Sequence, residues 1–227
     1  MSTAIPHLQI AIDGPAGSGK GSVAAEVAKT LALPVLDTGL LYRFVAWQVH
    51  ENNCPIDDEA AIKTLVEQQL SAMDWRSDGI FFDGKDCTSR LRGEDVGALA
   101  SQVSALPAVR QQLLAVQQTL ASHGCVMDGR DIGTVVLPQA QAKFFLTATL
   151  RERGRRRWLQ LSDQAKRQQT LDDVIADIQA RDQRDSERSH APLAQADDAI
   201  VIDSTIMRID EVVERVLHIL QRRRLIH

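Results

Sequence analysis

Short apolar runs alternate along this chain with longer stretches whose apolar residues recur at helical spacing. The short runs have the length of buried strands, and they span residues 8–12, 34–36, 125–127, 143–146 and 199–202. The longer stretches predict helices over residues 19–31, 40–51, 58–73, 106–122, 151–161, 171–188 and 209–221. Because strands that alternate with helices form parallel sheets, the sequence predicts an α/β fold with helices on both faces of the sheet.

Two segments interrupt this alternation. Residues 75–92 carry short apolar runs on either side of Asp83-Gly84, and an Asp-Gly pair in that position predicts a β-hairpin. Residues 162–170 are polar and join two arginine-bearing helical patterns, so we interpret them as the tip of a mobile flap. We expect a single domain over residues 1–227. Its core would span about 1–50, 120–150 and 190–227, with an insert at about 51–119 and a lid at about 151–189.

A glycine-rich loop follows the first predicted strand and opens the first predicted helix. The run Gly14-Pro15-Ala16-Gly17-Ser18-Gly19-Lys20 fits the pattern G-x-x-x-x-G-K in the strand–loop–helix context that this pattern requires. Glycines let backbone N–H groups curl around a phosphate, and the start of the helix adds donors and partial positive charge. The loop therefore predicts a nucleoside triphosphate site. Gly21 stands where Ser or Thr usually follows the lysine, and Ser22 comes one residue later.

Composition argues against several classes of protein. The chain of 227 residues can bury a core, and its net charge of -4 does not suit a surface for long nucleic acid. The three cysteines form no CxxC pair, which argues against a disulfide framework or a zinc ribbon. The six histidines show no metal-ligand spacing. With no long apolar run and no signal-peptide pattern, we expect a cytoplasmic protein that does not contact membranes.

Arginines nevertheless cluster locally, and local clusters in an acidic chain predict small anionic ligands. Five arginines fall within residues 151–157. A candidate site at residues 37–43 follows the second strand, at the sheet edge where open α/β sheets bind ligands. There Arg43 could hold a phosphate, and Thr38 is a candidate cap for the following helix.

Two further segments combine arginine with carboxylates. Residues 128–134 read DGRDIGT directly after a predicted strand, and Asp128 stands where a carboxylate can reach the shell of a Mg²⁺ ion. Residues 181–188 place two cations and a carboxylate on one face of a helix. These three are Arg181, Asp185 and Arg188.

Together these segments resemble the bacterial cytidylate kinase family, whose corresponding runs read D-[ST]-G-x-x-Y-R and D-G-R-D-x-G-T. The similarity extends from residue 8 to about residue 217 and includes residues 101–103 and 107–110. It implies a P-loop NTPase fold with a five-stranded parallel sheet flanked by helices, a small antiparallel β insert that binds the monophosphate, and a short helical lid. It also implies Mg²⁺-dependent transfer of the γ-phosphoryl group of ATP to CMP or dCMP, in pyrimidine nucleotide metabolism.

The resemblance further implies a role for each matching residue. The donor loop would comprise Gly14, Pro15, Ala16, Gly17, Ser18, Gly19, Lys20, Gly21 and Ser22, with Ser22 and Asp128 in the Mg²⁺ shell. The acceptor would be bound by Thr38, Arg43, Ser101, Arg110, Arg130, Asp131, Arg181, Asp185 and Arg188. Residues 151–157 are more basic than the family pattern, so the flap candidates Arg153, Arg157 and Arg181 follow from the need to neutralise charge, with Arg157 and Arg181 ranked above Arg153. The predicted catalytic set is Lys20, Arg130, Arg157, Arg181 and Arg188. Nucleotides would be the only partners, and the chain would act as a monomer.

Three alternatives stay open at this point. A related kinase could act on UMP, dTMP, AMP or shikimate, although Ser101, Arg110 and Asp131 suit the polar edge of cytosine. A regulatory GTPase would need N-K-x-D and D-x-x-G runs, and the chain has neither. Nucleic-acid binding through residues 151–157 is disfavoured by the pI of about 5.9 and the lack of interleaved aromatic residues.

Residues 221–227 are expected to form a frayed basic tail.

Overall fold

The computed structural model describes residues 3–76 and 79–227. In chain order its elements are β1 (Gln9–Asp13), α1 (Lys20–Leu31), β2 (Val35–Asp37), α2 (Thr38–Glu51), α3 (Glu59–Leu70), β3 (Met73–Arg76), β4 (Gly79–Phe82), β5 (Lys85–Asp86), α4 (Thr88–Leu91), α5 (Glu94–Val103), α6 (Pro107–Ala121), β6 (Cys125–Gly129), β7 (Ala142–Thr147), α7 (Leu150–Gln160), α8 (Asp163–Gln168), α9 (Leu171–Glu187), β8 (Ile200–Asp203) and α10 (Ile209–Arg222). A π-helical turn, Ile132–Val136, lies between β6 and β7.

Five strands form one sheet in the order β2-β6-β1-β7-β8, which puts β1 in the middle. β1 pairs in parallel with β6 and with β7, and β7 pairs in parallel with β8. The predicted five-stranded α/β sheet is therefore confirmed. In parallel pairing the carboxyl ends of neighbouring strands lie at one edge of the sheet. Asp13 at the end of β1 accordingly pairs with Gly129 at the end of β6.

The seven predicted helices are all present, with bounds that differ from the prediction by a few residues. The helices α4 and α5 were not predicted. α5 contains Gly97 in its interior, and glycine disfavours helix when propensity alone is considered. Packing overrides this preference, because Val96, Ala100 and Val103 of α5 are buried in a hydrophobic cluster. Their burial could not be read from the sequence.

Residues 162–170, interpreted as the tip of a mobile flap, contain the helix α8. The Ser162 hydroxyl accepts the N–H of Ala165 at 3.2 Å and so caps this helix. Thr170 caps α9 in the same way through the N–H of Asp173. The segment is polar because it begins and ends with cap residues and because most of α8 between them is exposed.

The chain divides into two compact units, each with its own hydrophobic core. The core unit comprises Met1–Val35 and His123–His227, and the insert unit comprises Leu36–Ser122, so the boundary falls within β2. In the core unit, apolar residues of α1 and α10 pack with those of β1, β6, β7 and β8. In the insert unit, the buried face of α2 packs with residues of α3, α5 and α6. Across residues 3–76 and 79–227, none of the helices combines the length and apolar character that crossing a membrane requires.

A small antiparallel sheet is confirmed in the insert unit. β4 pairs with β5 across Asp83-Gly84, where both residues have positive φ, as the predicted hairpin turn requires. β3 adds a third strand by pairing with β4. Residues 77 and 78 of the predicted hairpin segment lie outside the described residues. Thr88, near the predicted end of this segment, instead begins α4, and its hydroxyl accepts the N–H of Ile80 at 2.9 Å.

The C-terminal segment does not fray, contrary to the expectation for residues 221–227. Its backbone pairs with the N-terminal segment, since Thr3 N–H donates to the carbonyl of His227 and His227 N–H donates to the carbonyl of Thr3. Ile5 N–H donates to the carbonyl of Leu225. Ile226 is 4% exposed and belongs to the main hydrophobic cluster of the core unit. The apolar residues Leu225 and Ile226 therefore anchor the C-terminal segment to the core unit.

Asp13 joins the end of β1 to the turn that follows β6. Its two carboxylate oxygens accept the N–H groups of Ile132 and Gly133 at 2.8 and 2.7 Å. Burial raises the pKa of Asp13 from 3.8 to about 6, although these two N–H donors act in the opposite direction. The carboxylate is thus a structural acceptor that is held in an environment unfavourable to its charge.

We expect Ile226→Ala to lower the free energy of unfolding by roughly 2–4 kcal/mol, because it removes buried apolar volume from a packed cluster. Urea denaturation measures the change. The matched control is His227→Ala, whose exposed side chain leaves the backbone pairing intact and should change stability by less than about 0.5 kcal/mol. Equal, negligible effects of both changes would mean that the tail frays after all.

A second prediction concerns the pH dependence of stability. The folded protein holds the proton of Asp13 more tightly than the unfolded chain does. Stability from protonated Asp13 is therefore complete below the unfolded pKa of 3.8 and is lost as the pH rises through about 6. From about pH 5 to about pH 7.5, the free energy of unfolding of the parent should fall by roughly 1.4 kcal/mol relative to Asp13→Asn.

The control for this measurement is Asp198→Asn. A hydrogen bond from Lys143 lowers the pKa of Asp198, so this carboxylate is ionised in both states above about pH 5. Its stability difference from the parent should stay constant over the same range. A constant difference for Asp13→Asn as well would contradict the raised pKa of Asp13.

Candidate active site

The phosphate loop forms the connection between β1 and α1, and its glycines allow it to pack closely against β7 and α7. A Cβ atom on Gly14 would lie 2.0 Å from the carbonyl oxygen of Leu146 in β7. A Cβ atom on Gly17 would lie 2.8 Å from the carbonyl oxygen of Arg153 in α7, and the φ of Gly17 is +74°. Any side chain at these positions would push the loop away from β7 or α7. Lys20 is the first residue of α1.

A cavity of about 570 Å³ opens beside this loop. Its wall combines loop residues with the exposed face of α7 and the segment between β8 and α10. Arg157 of the predicted catalytic set lies on this wall, together with Gly19 and Ser22. Ile206 also lines the cavity and is 95% exposed. An apolar surface beside a phosphate loop suits the nucleoside of a triphosphate.

Asp128 and Ser22 offer oxygen ligands for a magnesium ion. Asp128 lies at the end of β6 and is buried, and its Oδ2 is 3.6 Å from the position that a Cβ on Gly21 would take. A side chain at position 21 would therefore cover the carboxylate. Mg²⁺ prefers one or two such oxygens and completes its shell with water and phosphate. Among the described residues, no group of three or more His, Cys, Asp or Glu side chains is placed to hold a metal ion.

Three arginines converge on one buried carboxylate in the core unit. Arg130 Nε donates to Asp185 Oδ2 at 3.0 Å, Arg188 Nη1 lies 3.7 Å from Oδ1, and Arg181 Nε lies 4.0 Å from Oδ2. Asp185 is only 5% exposed. The cluster carries a formal charge of +2, which is suited to a phosphate group. The structure therefore brings together the arginines that the sequence separates into two segments.

Two arginines of this cluster, Arg130 and Arg188, also donate hydrogen bonds to backbone carbonyls. Arg130 Nη1 donates to the carbonyl of Gly129 at 3.2 Å, and Arg188 Nε donates to the carbonyl of Asp185 at 3.3 Å. Leu193 N–H donates to the same carbonyl at 2.7 Å, so the segment after α9 folds back onto it. The side chain of Arg181 is 41% exposed, whereas that of Arg188 is 7% exposed. Arg181 therefore offers more surface to a mobile ligand than Arg188 does.

Asp131 is buried and directly precedes the π-helical turn, where Asp13 holds the next two N–H groups. The sequence patterns did not identify Asp13 as a site residue. The available signal was a carboxylate directly after the apolar residues 10–12 of the first strand. Its two hydrogen bonds fix the turn that carries Arg130 and Asp131, which makes it a supporting residue of the site.

Two predicted acceptor residues lie on α2 of the insert unit. Thr38 was a candidate helix cap, but the structure contradicts this role, because Asp37 is the N-cap residue and Thr38 is the first residue within the helix. Thr38 is buried. Arg43 Nη1 donates to the carbonyls of Leu91 and Gly93 at 2.8 and 3.0 Å. Backbone oxygens thus orient the Arg43 guanidinium.

The other two acceptor candidates in the insert unit, Ser101 and Arg110, lie on α5 and α6. Arg110 is buried and donates to the carbonyl of Ser104 at 3.2 Å, and its guanidinium carbon lies 5.4 Å from the centre of the Tyr42 ring. The Ser104 hydroxyl in turn donates to the carbonyl of Ser101 at 3.1 Å. These contacts connect the end of α5 with the first turns of α6, so Ser101 and Arg110 belong to one local arrangement.

Arg153 does not have the freedom expected of a flap arginine. It is 8% exposed, and its guanidinium donates to the carbonyls of Ala16 and Ala148 at 2.8 and 3.0 Å. It also forms an ion pair with Asp182. Arg157, four residues further along α7, is exposed instead. Of the flap candidates on α7, only Arg157 is placed to move toward a ligand.

Comparison with known proteins agrees with this arrangement of residues. The sequence profile of the family described as "Cytidylate kinase" matches residues 10–222. A cytidylate kinase from Syntrophotalea carbinolica is 44% identical over 96% of this chain and 93% of its own length. Those from Pseudomonas paraeruginosa and Pseudomonas aeruginosa are each 46% identical, over 96% and 98% of both chains respectively. With a matching profile over nearly the whole length and relatives at this identity, the chain belongs to the cytidylate kinase family.

Proposed function

We infer that this protein transfers the γ-phosphoryl group of ATP to CMP, giving ADP and CDP, and that dCMP is a second acceptor. The observation that carries this inference is the +2 arginine cluster around Asp185, which lies in the same folded unit as the phosphate loop. A kinase for a monophosphate must hold two anionic substrates, and the core unit contains one cradle built from backbone N–H groups and another built from guanidinium groups.

On the donor side, we assign the backbone of residues 14–22 and the ammonium of Lys20 to the β- and γ-phosphates of ATP. Mg²⁺, held by Ser22 and Asp128 directly or through water, would offset the charge of the triphosphate. The adenosine moiety suits the cavity beside the loop, where Ile206 offers an apolar surface. Binding in this manner orients the γ-phosphorus for attack and needs no covalent intermediate with the protein.

On the acceptor side, we assign the CMP phosphate to Arg43, Arg130 and Arg188. A guanidinium binds phosphate through two parallel hydrogen bonds, and this geometry fixes the nucleophilic oxygen. Asp185 holds two of these arginines in place before the substrate arrives, and its remaining lone pairs can accept a ribose hydroxyl. The acceptor phosphate is already an anion, so no general base is required.

We assign cytosine recognition to Ser101, Arg110 and Asp131. A hydroxyl, a guanidinium and a carboxylate can satisfy the carbonyl, the ring nitrogen and the amino group of this base. An analogue with a carbonyl in place of the amino group would present an acceptor, instead of a donor, to the Asp131 carboxylate. UMP should therefore be a poorer acceptor than CMP.

We assign Arg157 and Arg181 to the charge that develops on the phosphoryl group during transfer. Arg157 is exposed, and the side chain of Arg181 is 41% exposed against 7% for that of Arg188, so each could reach a ligand by a change of side-chain rotamer. Excluding water matters because an open site would let water accept the phosphoryl group. We further propose that the protein acts in the cytoplasm as a monomer whose partners are nucleotides.

The first test is a panel of monophosphates with ATP and Mg²⁺, in which ADP release is followed by a coupled assay. We expect kcat/KM for CMP to exceed that for UMP, dTMP and AMP by at least about tenfold, and turnover without an acceptor to be negligible. A preference for AMP, or ATP turnover that is independent of any monophosphate, would sink the proposed function.

The second test concerns the arginine cluster. Arg188→Ala should lower kcat/KM for CMP by about a thousandfold, because it removes a guanidinium from the acceptor phosphate and leaves ATP binding almost unchanged. Arg188→Lys, which keeps the charge and loses the planar fork, should recover only part of the activity. The matched control is Arg184→Ala on the exposed face of the same helix. Wild-type turnover in the Arg188→Ala variant would refute this role.

A further inference from the structure

We propose that Arg153 and Asp182 form a clamp on the backbone of Ala16, and that this clamp orients the phosphate loop for the donor nucleotide. Ala16 N–H donates to Asp182 Oδ1 at 2.8 Å, and Arg153 Nη1 donates to the carbonyl oxygen of Ala16 at 2.8 Å. The same Nη1 donates to Asp182 Oδ2, which closes a ring of hydrogen bonds. One ion pair therefore holds both backbone polar groups of a single loop residue. The proposal rests on the assignment of this loop to ATP.

The contact to the Ala16 carbonyl sets the direction of a loop donor. In a trans peptide the carbonyl and the following N–H point in opposite directions. Because Arg153 holds the carbonyl of Ala16, the N–H of Gly17 points away from Arg153. Arg156 repeats this arrangement, since its Nη1 donates to the carbonyl of Ser18 at 3.3 Å and so directs the N–H of Gly19. An anion cradle needs such N–H groups turned to one side, and a rotated peptide would present a carbonyl to the phosphate.

Burial makes this clamp stiff. The side chain of Arg153 is 10% exposed and that of Asp182 is 16% exposed. Arg153 Nε makes one further hydrogen bond, to the carbonyl of Ala148 at 3.0 Å. Charge-assisted hydrogen bonds are stronger than neutral ones, and they gain further strength where water is largely excluded. Removing either partner would leave a buried charge without its counterpart.

Close backbone packing supports the same conclusion independently. Gly17 has no side chain, and a Cβ there would lie within 3.0 Å of both the carbonyl oxygen and the Cβ of Arg153. Gly154 likewise allows α7 and α9 to pack closely, because a Cβ atom added at Gly154 would lie 2.3 Å from Cγ1 of Ile175. The loop, α7 and α9 are thus in direct contact, and the clamp lies where the three meet.

The clamp also connects the loop to both ends of the predicted lid. Arg153 lies in α7 before α8, and Asp182 lies in α9 after α8. Neither side chain is assigned to a substrate atom. They act through the backbone of Ala16, so they are positioning residues for the binding of the donor polyphosphate.

Three variants test the clamp: Arg153→Gln, Asp182→Asn and the double change. ATP binding is measured by calorimetry with Mg²⁺ and without CMP, and steady-state kinetics give KM for CMP. Each single change should raise the Kd for ATP about ten- to a hundredfold, while KM for CMP stays within about twofold. The double change leaves no unpaired charge and keeps a donor and an acceptor for Ala16. Its effect should therefore be smaller than the two single effects combined.

The matched controls are Arg151→Gln on α7 and Asp177→Asn on α9, two exposed residues of the same helices. Neither should change ATP binding or turnover. If a single variant does not fold, Arg153→Lys and the double variant decide the question: a loss of affinity confined to ATP supports the clamp. Unchanged ATP affinity, additive effects, or equal losses for ATP and CMP would overturn it. A parent protein that lacks CMP-dependent turnover would refute the proposed function alone, because the calorimetric comparison still tests the clamp.

Discussion

The parallel pairing of β1 with β6 brings the two segments of the core unit that we propose to bind anions to one edge of the sheet. With Asp13 opposite Gly129, the phosphate loop leaves one strand where the DGRDIGT turn leaves its neighbour. The carboxylate of Asp13 then bonds across this edge to the N–H groups of Ile132 and Gly133. Parallel strands end together, so a donor cradle and an acceptor cradle placed after adjacent strands must lie near each other.

Carboxylates hold the arginines of this unit in position. Asp185 holds Arg130 and Arg188, and Asp182 holds Arg153. Glu152 on α7 likewise holds Arg155 and Arg156. Hydrogen bonds from these two residues, the larger effect coming from Arg155, lower the pKa of Glu152 to about 2. Guanidinium groups that repel one another would spread apart without these partners. An arginine already fixed in place loses less conformational freedom when a phosphate binds, which favours binding and correct orientation.

The two units contribute differently to the reaction proposed for this member of the cytidylate kinase family. The core unit contains the loop, the magnesium candidates Ser22 and Asp128, and the Asp185 cluster. The insert unit has its own hydrophobic core and holds Arg43 and Arg110 through backbone carbonyls. In both units, protein groups anchor the arginines that we propose for acceptor binding, which are Arg43, Arg110, Arg130 and Arg188. Acceptor binding can therefore be proposed to depend on preorganised groups, whereas Arg157 and Arg181 are the residues proposed to move toward the transferred phosphoryl group.

The sequence by itself determined the five strands of the parallel sheet, the seven long helices, the hairpin turn and the phosphate loop, because each depends on spacing within a few residues. It also identified the arginine segments, through their resemblance to a family. Only the tertiary structure decided that Arg153 and Asp182 close on Ala16, which lies 137 and 166 positions away from them. It likewise decided the anchoring of Ile226, the helical state of α5, and the position of Thr38 inside α2. These features depend on burial and on partners distant in the chain, which local patterns do not contain.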